Sequence, residues 1–333
     1  MKLLEGLKVV VLADRLVDFG GVMLARMGAE VVLAGACEMT APRKAAWHHG
    51  MTPSKAPLAE LLADADVLLE DRRSEDWPDL KGVTLPETLV HVVATGYPEE
   101  TPQRPATDLT LMAQSGLMHV IGTAEAPPLR LPGEQAYALT GIQVATAALM
   151  GLRARRLTGK GQRTPLSALQ SATLSNYREA VMYEWTGRIG RRVGNRLVRG
   201  SSGVRQVWPC SDGFVTWSMI DNPGMMRALV RVMVEQGAAG ELAEVDWGAI
   251  LVADTDQEVI DRWQGIVAKF FARHDRATLA GWSLEHGWGL SAITKLSEVP
   301  ESPQMKARGI FPDGGTLPTG PLFAVHPAKG GAA

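Results

Sequence analysis

Short runs of apolar, often β-branched residues alternate with helix-forming stretches over the first hundred residues. Residues 8–13 and 30–34 predict two strands, and residues 22–27, after Gly20 and Gly21, predict a helix between them. Strands that are apolar on both faces are typical of a parallel sheet covered by helices on each side. The chain therefore begins with a βαβ unit, which favours an α/β fold.

Two further predicted strands end in loops at the edge of this sheet. Residues 66–70 and 90–95 are again apolar, whereas residues 40–55 are polar and predict irregular chain. Open α/β sheets bind ligands beyond the carboxyl ends of their strands. The residues that follow these two strands are therefore candidate cofactor-binding residues: Asp71, Arg72, Gly96 and Tyr97.

A helix of small residues lies near the middle of the chain. From residue 141 to 152 it includes Ala145, Ala148 and Gly151, so that another backbone can approach it closely. This composition is typical of a buried central helix. A basic turn at residues 158–161 is predicted to end it, because cations complement the carboxyl end of the helix dipole.

The composition changes after residue 186 and indicates a second domain. Residues 187–203 are basic and rich in glycine, which is typical of an exposed linker or a mobile loop. A predicted hairpin at 208–215 and a mostly helical pattern follow. The predicted organisation is a large Rossmann-like domain of residues 1–186, completed by 300–333, a linker of 187–206 and a smaller α+β domain of 207–299.

Composition and charge exclude several classes of protein. The formal net charge of −2 gives no long-range attraction to nucleic acid or to an anionic membrane. No apolar run reaches about 18 residues and the start of the chain lacks a signal-peptide cleavage region, so we expect a cytoplasmic protein. Neither Cys37 and Cys210 nor the adjacent His48 and His49 form a metal-binding motif. The G-x-G-x-x-G fingerprint is absent, so no nicotinamide or flavin site is expected.

Four blocks of residues match the pattern of one enzyme family. They are Leu4–Leu12 with Leu24–Val32; Arg104–Leu109 with Gln114–Met118 and Gly122; Pro127–Arg130 with the helix that ends in Thr158–Gln162; and Arg273–Ala277 with Glu298–Gly309. In this order they resemble the class III CoA-transferases of the CaiB/BaiF type, the family of formyl-CoA:oxalate CoA-transferase. The blocks run through most of the chain, and their combination is specific although no single block is.

The resemblance implies a fold, a substrate class and a partner. The family has a Rossmann-like large domain, a smaller domain and two chains interlocked as a dimer. It uses coenzyme A and acyl-CoA as substrates, with a small carboxylic acid as acceptor and no permanently bound cofactor. Arg15, next to the opening loop, and Gly200 and Gly203, in a glycine-rich loop that closes over substrate, join the candidate cofactor-binding residues. Arg72 is expected to meet the phosphates of coenzyme A.

The nucleophile of the family is missing from this chain. In the family, an aspartate attacks the acyl-CoA thioester to give a mixed anhydride, which the coenzyme A thiolate then opens. Counting back from Gln162 without a gap places Tyr137 at that position. A phenol with an ordinary pKa of about 10 is a poor nucleophile at neutral pH and cannot form an anhydride. The catalytic candidates are Tyr137, at the family position, Glu134, three residues upstream, and Asp108, which matches an acidic neighbour of the active site.

Several interpretations stay open. Glu134 either replaces the aspartate or is a capping carboxylate at the start of the helix, and Asp108 is either an active-site acid or the N-cap of a helix at 109–118. The chain is accordingly an active CoA-transferase, a subunit without a nucleophile that pairs with an active paralogue, or a non-enzymatic binding protein. A racemase of the α-methylacyl-CoA type is disfavoured, because Thr107 occupies the position of the histidine that it needs.

Overall fold

A computed structural model shows two compact units. It describes residues 2–12, 14–34, 39–72, 80, 82–102, 104–219, 221–312, 315 and 317–323. Unit 1 comprises residues 1–120, 129–190 and 300–333, and unit 2 comprises residues 121–128 and 191–299. Ala13 at the end of the first predicted strand, Cys37 and most of the tail after residue 312 lie outside the described residues.

Unit 1 is built on a six-stranded parallel sheet with the order β3-β2-β1-β4-β5-β6. Its strands are β1 (Lys8–Leu12), β2 (Glu30–Leu33), β3 (Met51–Pro53), β4 (Val67–Arg72), β5 (Val90–Thr95) and β6 (Gln162–Ser167). The order reverses between β1 and β4, where doubly wound sheets leave a crevice for ligands. The α/β fold predicted from the sequence is confirmed.

Helices cover both faces of this sheet. They are α1 (Asp18–Arg26), α2 (Ala41–Trp47), α3 (Leu58–Leu62), α4 (Asp108–Gln114), α5 (Gln135–Thr158), α6 (Ala168–Leu174) and α7 (Tyr177–Thr186). Alternate residues of a strand point to opposite faces of the sheet. Val9 and Val11 of β1 pack into the core with α1, α4, α5 and α6. Val10 and Leu12 pack into a smaller core with α3. This alternation follows from the two-residue period of a strand.

Glycines allow the backbones of α1 and α5 to touch. A Cβ at Gly141 would lie 2.6 Å from the Cβ of Phe19 and 2.9 Å from the backbone nitrogen of Gly20. A Cβ at Gly20 would lie 2.7 Å from Cγ1 of Val144. Since no side chain fits at either position, the close approach predicted for the small-residue helix is confirmed, with α1 as the partner. The contact fixes where α5 begins relative to the loop after β1.

Three elements of unit 1 differ from the prediction. The polar residues 40–55, predicted to be irregular, contain α2 and β3. The sixth strand, β6, has the sequence QRTPLS, which gives no apolar signal. Pro165 lacks the N–H that a central strand needs, and the strand accordingly lies at the edge of the sheet.

Unit 2 packs three helices against two small sheets. The hairpin of β7 (Arg196–Arg199) and β8 (Ser202–Arg205) forms one sheet, and β9 (Val207–Cys210), β10 (Gly213–Thr216) and β11 (Ser291–Ala292) form the other, both antiparallel. The helices are α8 (Pro223–Glu235), α9 (Gln257–Phe271) and α10 (Arg276–His286), whereas α11 (Pro303–Ala307) belongs to unit 1. The core includes the fully buried rings of Trp208, Phe270, Phe271 and Trp288.

The predicted linker is partly folded. The sequence predicts exposed chain at 187–206, but β7 and β8 pair within it and Val204 is fully buried in the core of unit 2. Gly200 turns between the strands with a φ of 55°, which glycine adopts without strain. Among the described residues of both units, no helix is long and apolar enough to cross a lipid bilayer.

Candidate active site

The loop after β1 is tied to the neighbouring strand at the switch point of the sheet. The buried carboxylate of Asp71, near the end of β4, accepts hydrogen bonds from the backbone N–H groups of Leu16 at 2.7 Å and Asp14 at 3.2 Å. Between them, Arg15 has a φ of 114°, an unusual conformation for a residue with a side chain. Asp71, predicted to bind a cofactor, therefore shapes the loop that carries Arg15.

Glu134 is the point at which three elements of unit 1 meet. It lies directly before α5, and its carboxylate pairs with Nη2 of Arg43 on α2 and lies 3.9 Å from Nη1 of Arg15. Its side chain is 22% exposed, so solvent or a ligand can reach it. The structure thus places a carboxylate between two guanidinium groups, one of them in the loop after β1 at the switch point of the sheet.

Asp108 has a structural task at the same place. It is 4% exposed, and its Oδ1 accepts from the backbone N–H groups of Ala136 at 2.8 Å and Tyr137 at 3.4 Å, while Oδ2 lies 3.3 Å from Nη2 of Arg130. It thereby satisfies the first free N–H groups of α5. Of the two interpretations left open for Asp108, the N-cap of its own helix is wrong, because Thr107 accepts the capping hydrogen bond there.

Tyr137 is buried inside the first turn of α5. The small-residue helix, predicted from residue 141 to 152, begins at Gln135. The tyrosine side chain is 3% exposed, and its hydroxyl donates to the carbonyl oxygen of Ala106 at 3.4 Å. The phenol that the sequence count predicts at the family's nucleophile position is therefore part of the core of unit 1.

Arg72 lies at the end of β4 and binds a buried carboxylate. Its Nε donates to Oε1 of Glu70 at 2.6 Å, and Nε2 of His91 lies 2.6 Å from Oε2 of the same side chain. Burial raises the pKa of Glu70, but the hydrogen bonds with His91 and Arg72 outweigh it, so the pKa lies below its ordinary value. The side chain of Arg72 is still 42% exposed.

Gly96 and Tyr97 pack against the chain that follows them. A Cβ at Gly96 would lie 2.6 Å from the Cβ of Ala106. The ring of Tyr97 lies 4.0 Å below the guanidinium of Arg104, and its hydroxyl accepts from Nε2 of Gln114 at 3.2 Å. Burial raises the pKa of Tyr97, whereas Arg104 and Gln114 lower it to a net value below the ordinary one.

The remaining predicted residues, Gly200 and Gly203, belong to unit 2. The N–H of Gly203 donates to Oε1 of Gln257 at 2.7 Å, and Nε2 of Gln257 donates back to the carbonyl of Gly203 at 3.0 Å. Two hydrogen bonds therefore hold the glycine-rich segment against α9. A role as a closing loop stays a prediction.

Sequence reasoning missed the contacts made by α2 and by His48, which directly follows it. Arg43 pairs with Glu134, Trp47 packs on Phe19 with ring centroids 5.6 Å apart, and Nε2 of His48 lies 3.4 Å from Oδ2 of the fully buried Asp18. Pro42, in the first turn of α2, was the sequence signal that could have predicted this helix, because proline is common at helix starts. Within the described residues, no group of three or more histidine, cysteine or acidic side chains is arranged to hold a metal ion.

Comparison with solved structures defines the class of fold. A CAIB/BAIF family protein from Brucella suis superposes with a TM-score of 0.78 at 23% identity, covering 98% of this chain and 92% of that chain. A family model for CoA-transferase family III matches residues 51–327. The chain belongs to CoA-transferase family III, as its sequence motifs predict.

Two curated relatives resemble parts of the chain. Succinyl-CoA:(R)-benzylsuccinate CoA-transferase subunit BbsE of Thauera aromatica is 27% identical over 187 residues, which is 53% of this chain and 44% of the relative. Acetyl-CoA:oxalate CoA-transferase of Acetobacter aceti is 29% identical over 153 residues, which is 43% of this chain and 39% of the relative. The matches thus span less than half the length of either relative.

Proposed function

We propose that this protein transfers coenzyme A between carboxylic acids and that Glu134 is its nucleophile. The observation that supports this choice is the accessible Glu134 carboxylate at the start of α5, beside Arg43 and Arg15. Asp108 is buried and occupied by backbone N–H groups, and Tyr137 is a buried phenol. Among the three candidates, Glu134 is thus the carboxylate that a substrate can reach.

The reaction proceeds through two anhydrides and one enzyme-bound thioester. A carboxylate oxygen of Glu134 attacks the thioester carbonyl of acyl-CoA, and the C–S bond breaks to release coenzyme A thiolate. The thiolate attacks the Glu134 carbonyl of the anhydride, which frees the donor acid and leaves a glutamyl-CoA thioester. The acceptor carboxylate then repeats both steps in reverse order, so that a new acyl-CoA leaves and Glu134 is regenerated.

The two arginines have a distinct task in this scheme. Each attack creates a negatively charged oxygen at the carbonyl carbon, and fixed positive charge beside that carbon lowers the barrier. Arg15 and Arg43 approach the carboxylate from the loop after β1 and from α2. Arg72, partly exposed at the carboxyl edge of the sheet, is proposed to meet a phosphate of coenzyme A.

The test compares Glu134→Gln with Glu60→Gln, which removes an exposed carboxylate on α3. The purified chain is incubated with acetyl-CoA or succinyl-CoA and a panel of free acids that includes oxalate and benzylsuccinate, and the new thioesters are separated. Hydroxylamine and borohydride trap the enzyme-bound thioester for peptide mass spectrometry. We expect transfer and a modified Glu134 in the parent and in Glu60→Gln, and neither in Glu134→Gln. Transfer by Glu134→Gln at the parental rate would contradict the proposal.

A second candidate function is a subunit without its own nucleophile. The burial of Tyr137 at the family's nucleophile position favours it, and so does the likeness to a protein named as a CoA-transferase subunit. In this case the chain forms a heterodimer with a paralogue that carries the aspartate, instead of the homodimer expected for the first function. Activity that appears only on mixing with such a paralogue, and that is equal for Glu134→Gln, would establish this alternative.

A further inference from the structure

Unit 2 contains a cavity of about 780 Å³, and the reaction steps proposed above involve none of its lining residues. The β7–β8 hairpin and α9 form its main walls, and residues 123–125 and 192–195 complete it. All of these elements belong to unit 2. Cavities of roughly 300–1,000 Å³ are of the size that holds small organic ligands.

The charge of the cavity comes from the basic segment seen in the sequence. From residue 187 to 205 the chain has six arginines and no acidic residue. Three of the six, Arg192, Arg196 and Arg205, line the cavity. Like charges gathered around one concave surface repel each other, so the folded arrangement favours a negatively charged occupant.

The acidic residues of the wall do not cancel this charge. Asp261 accepts from Nε2 of Gln257 at 2.9 Å and Nε2 of Gln264 at 3.3 Å, and it lies 3.6 Å from Nη2 of Arg196. Its charge is thus compensated within the wall, and Glu125 is the second acid at the cavity. Three arginines against two carboxylates leave an excess of one positive charge.

The wall is held in shape before any ligand arrives. The backbone N–H of Arg205 donates to Oε1 of Gln264 at 2.5 Å, and its guanidinium lies 5.2 Å from the centroid of the buried Trp208 ring. Gln257 fastens Gly203 through both its N–H and its carbonyl. Such preorganisation reduces the entropy that binding costs.

We propose that this cavity binds a small organic oxyanion with at least two negative charges. Guanidinium forks match the geometry of phosphate and carboxylate groups alike. The shared chemistry is therefore an oxyanion held by Arg192 and Arg205, with Arg196 shared between the ligand and Asp261. The proposal is independent of Glu134 and of the reaction proposed for unit 1.

The experiment uses the full chain and isothermal titration calorimetry with pyrophosphate, ADP and succinate, at low and at high ionic strength. Arg192→Gln and Arg205→Gln remove cavity charges, while Arg231→Gln removes an exposed charge on α8. We expect one saturable site that high salt weakens. Each cavity variant should bind about tenfold more weakly, the loss expected for one charge-assisted hydrogen bond, and Arg231→Gln should bind like the parent.

The three probes distinguish the sources of the oxyanion. Binding of pyrophosphate and ADP without succinate assigns a phosphate ligand, and binding of succinate alone assigns a dicarboxylate. Arg196→Gln provides a second cavity variant if Arg205→Gln, beside Trp208, lowers the melting temperature. Absence of saturable binding of all three probes at millimolar concentration, or equal weakening in Arg231→Gln, would overturn the proposal. Loss of binding in Arg72→Gln, which removes an arginine of unit 1, would place the anion in unit 1 and overturn the proposal as well.

Discussion

Two regions of unit 1 meet at the start of α5 and are built in opposite ways. Where α1 crosses α5, main chain lies against main chain, and the buried Asp108 caps the helix. At Glu134 the contacts are between side chains, Arg15 and Arg43 reaching a partly exposed carboxylate. The first region fixes the position of the helix, and the second sets the charge offered to a ligand. Stability and chemistry should therefore respond to different substitutions.

The largest effect on stability is expected for Gly141→Ala. The added methyl would lie 2.6 Å from the Cβ of Phe19 and 2.9 Å from the backbone of Gly20, and neither atom can move away alone. Overpacking of this kind costs about 3 kcal/mol of unfolding free energy, measurable by urea unfolding. Gly265→Ala is the control, because nothing lies within 4 Å of its added Cβ on α9, and it should be neutral or stabilising. Parental stability of Gly141→Ala would show that the helices do not touch there.

A somewhat smaller loss is expected for Asp108→Ala. The substitution leaves the N–H groups of Ala136 and Tyr137 without their buried acceptor and removes the carboxylate that Arg130 contacts. Hydrogen bonds to charged groups contribute about 1.5–3 kcal/mol, so unfolding should become easier by about 2 kcal/mol. Glu134→Gln, directly before the same helix turn, should change stability by less than about 1 kcal/mol. Equal losses of unfolding free energy in Asp108→Ala and Glu134→Gln would show that the two regions do not differ in their contribution to stability.

The sequence predicted the frame of unit 1 better than its edges. The strands β1, β2, β4 and β5 are central and apolar, and hydrophobic runs alone were enough to locate them. The edge strand β6 was missed because its residues are polar and include Pro165, and β3 was missed because it has three residues. The six-strand order depends on pairings between distant residues, which a local pattern does not contain.

The candidate site shows the same limit. Glu134, Asp108 and Arg15 were found through their spacing from recognisable motifs. The pairing of Glu134 with Arg43 joins residues 91 positions apart, and Arg43 lies in a segment without hydrophobic periodicity. The role of Asp108 as a cap for α5 instead of α4 likewise depends on how two helices meet. A residue's local neighbours therefore predicted its element, and tertiary packing decided its task.

A third prediction concerns pH and the buried Glu70. Because the pKa of this carboxyl is lower in the folded protein than its ordinary value of 4.5, its pairing stabilises the fold above that pH. The contribution is lost as the pH falls through the lowered pKa. Glu70→Gln should be about 1 kcal/mol less stable at neutral pH and lose less stability than the parent below pH 4.5. Unfolding measured between about pH 3 and pH 6, the span over which carboxyls titrate, tests this. Glu60→Gln, exposed on α3, should follow the parent. Parallel pH profiles for the parent and Glu70→Gln would disprove the coupling.

The smallest change in stability is expected for Arg43→Gln, and it tests the comparison most directly. The pair of Arg43 and Glu134 is partly exposed, and such pairs contribute less than about 1 kcal/mol to folding. If Arg43 provides charge for the proposed reaction, the rate of CoA transfer should nevertheless fall about a hundredfold, because removal of one such donor costs about 3 kcal/mol of barrier in other enzymes. Arg43→Lys keeps the charge without the fork and should recover part of the rate. If Arg43→Gln folds and transfers CoA like the parent, Arg43 packs beside the Glu134 carboxylate without contributing to the reaction. Arg15 would then be the arginine that supplies positive charge there.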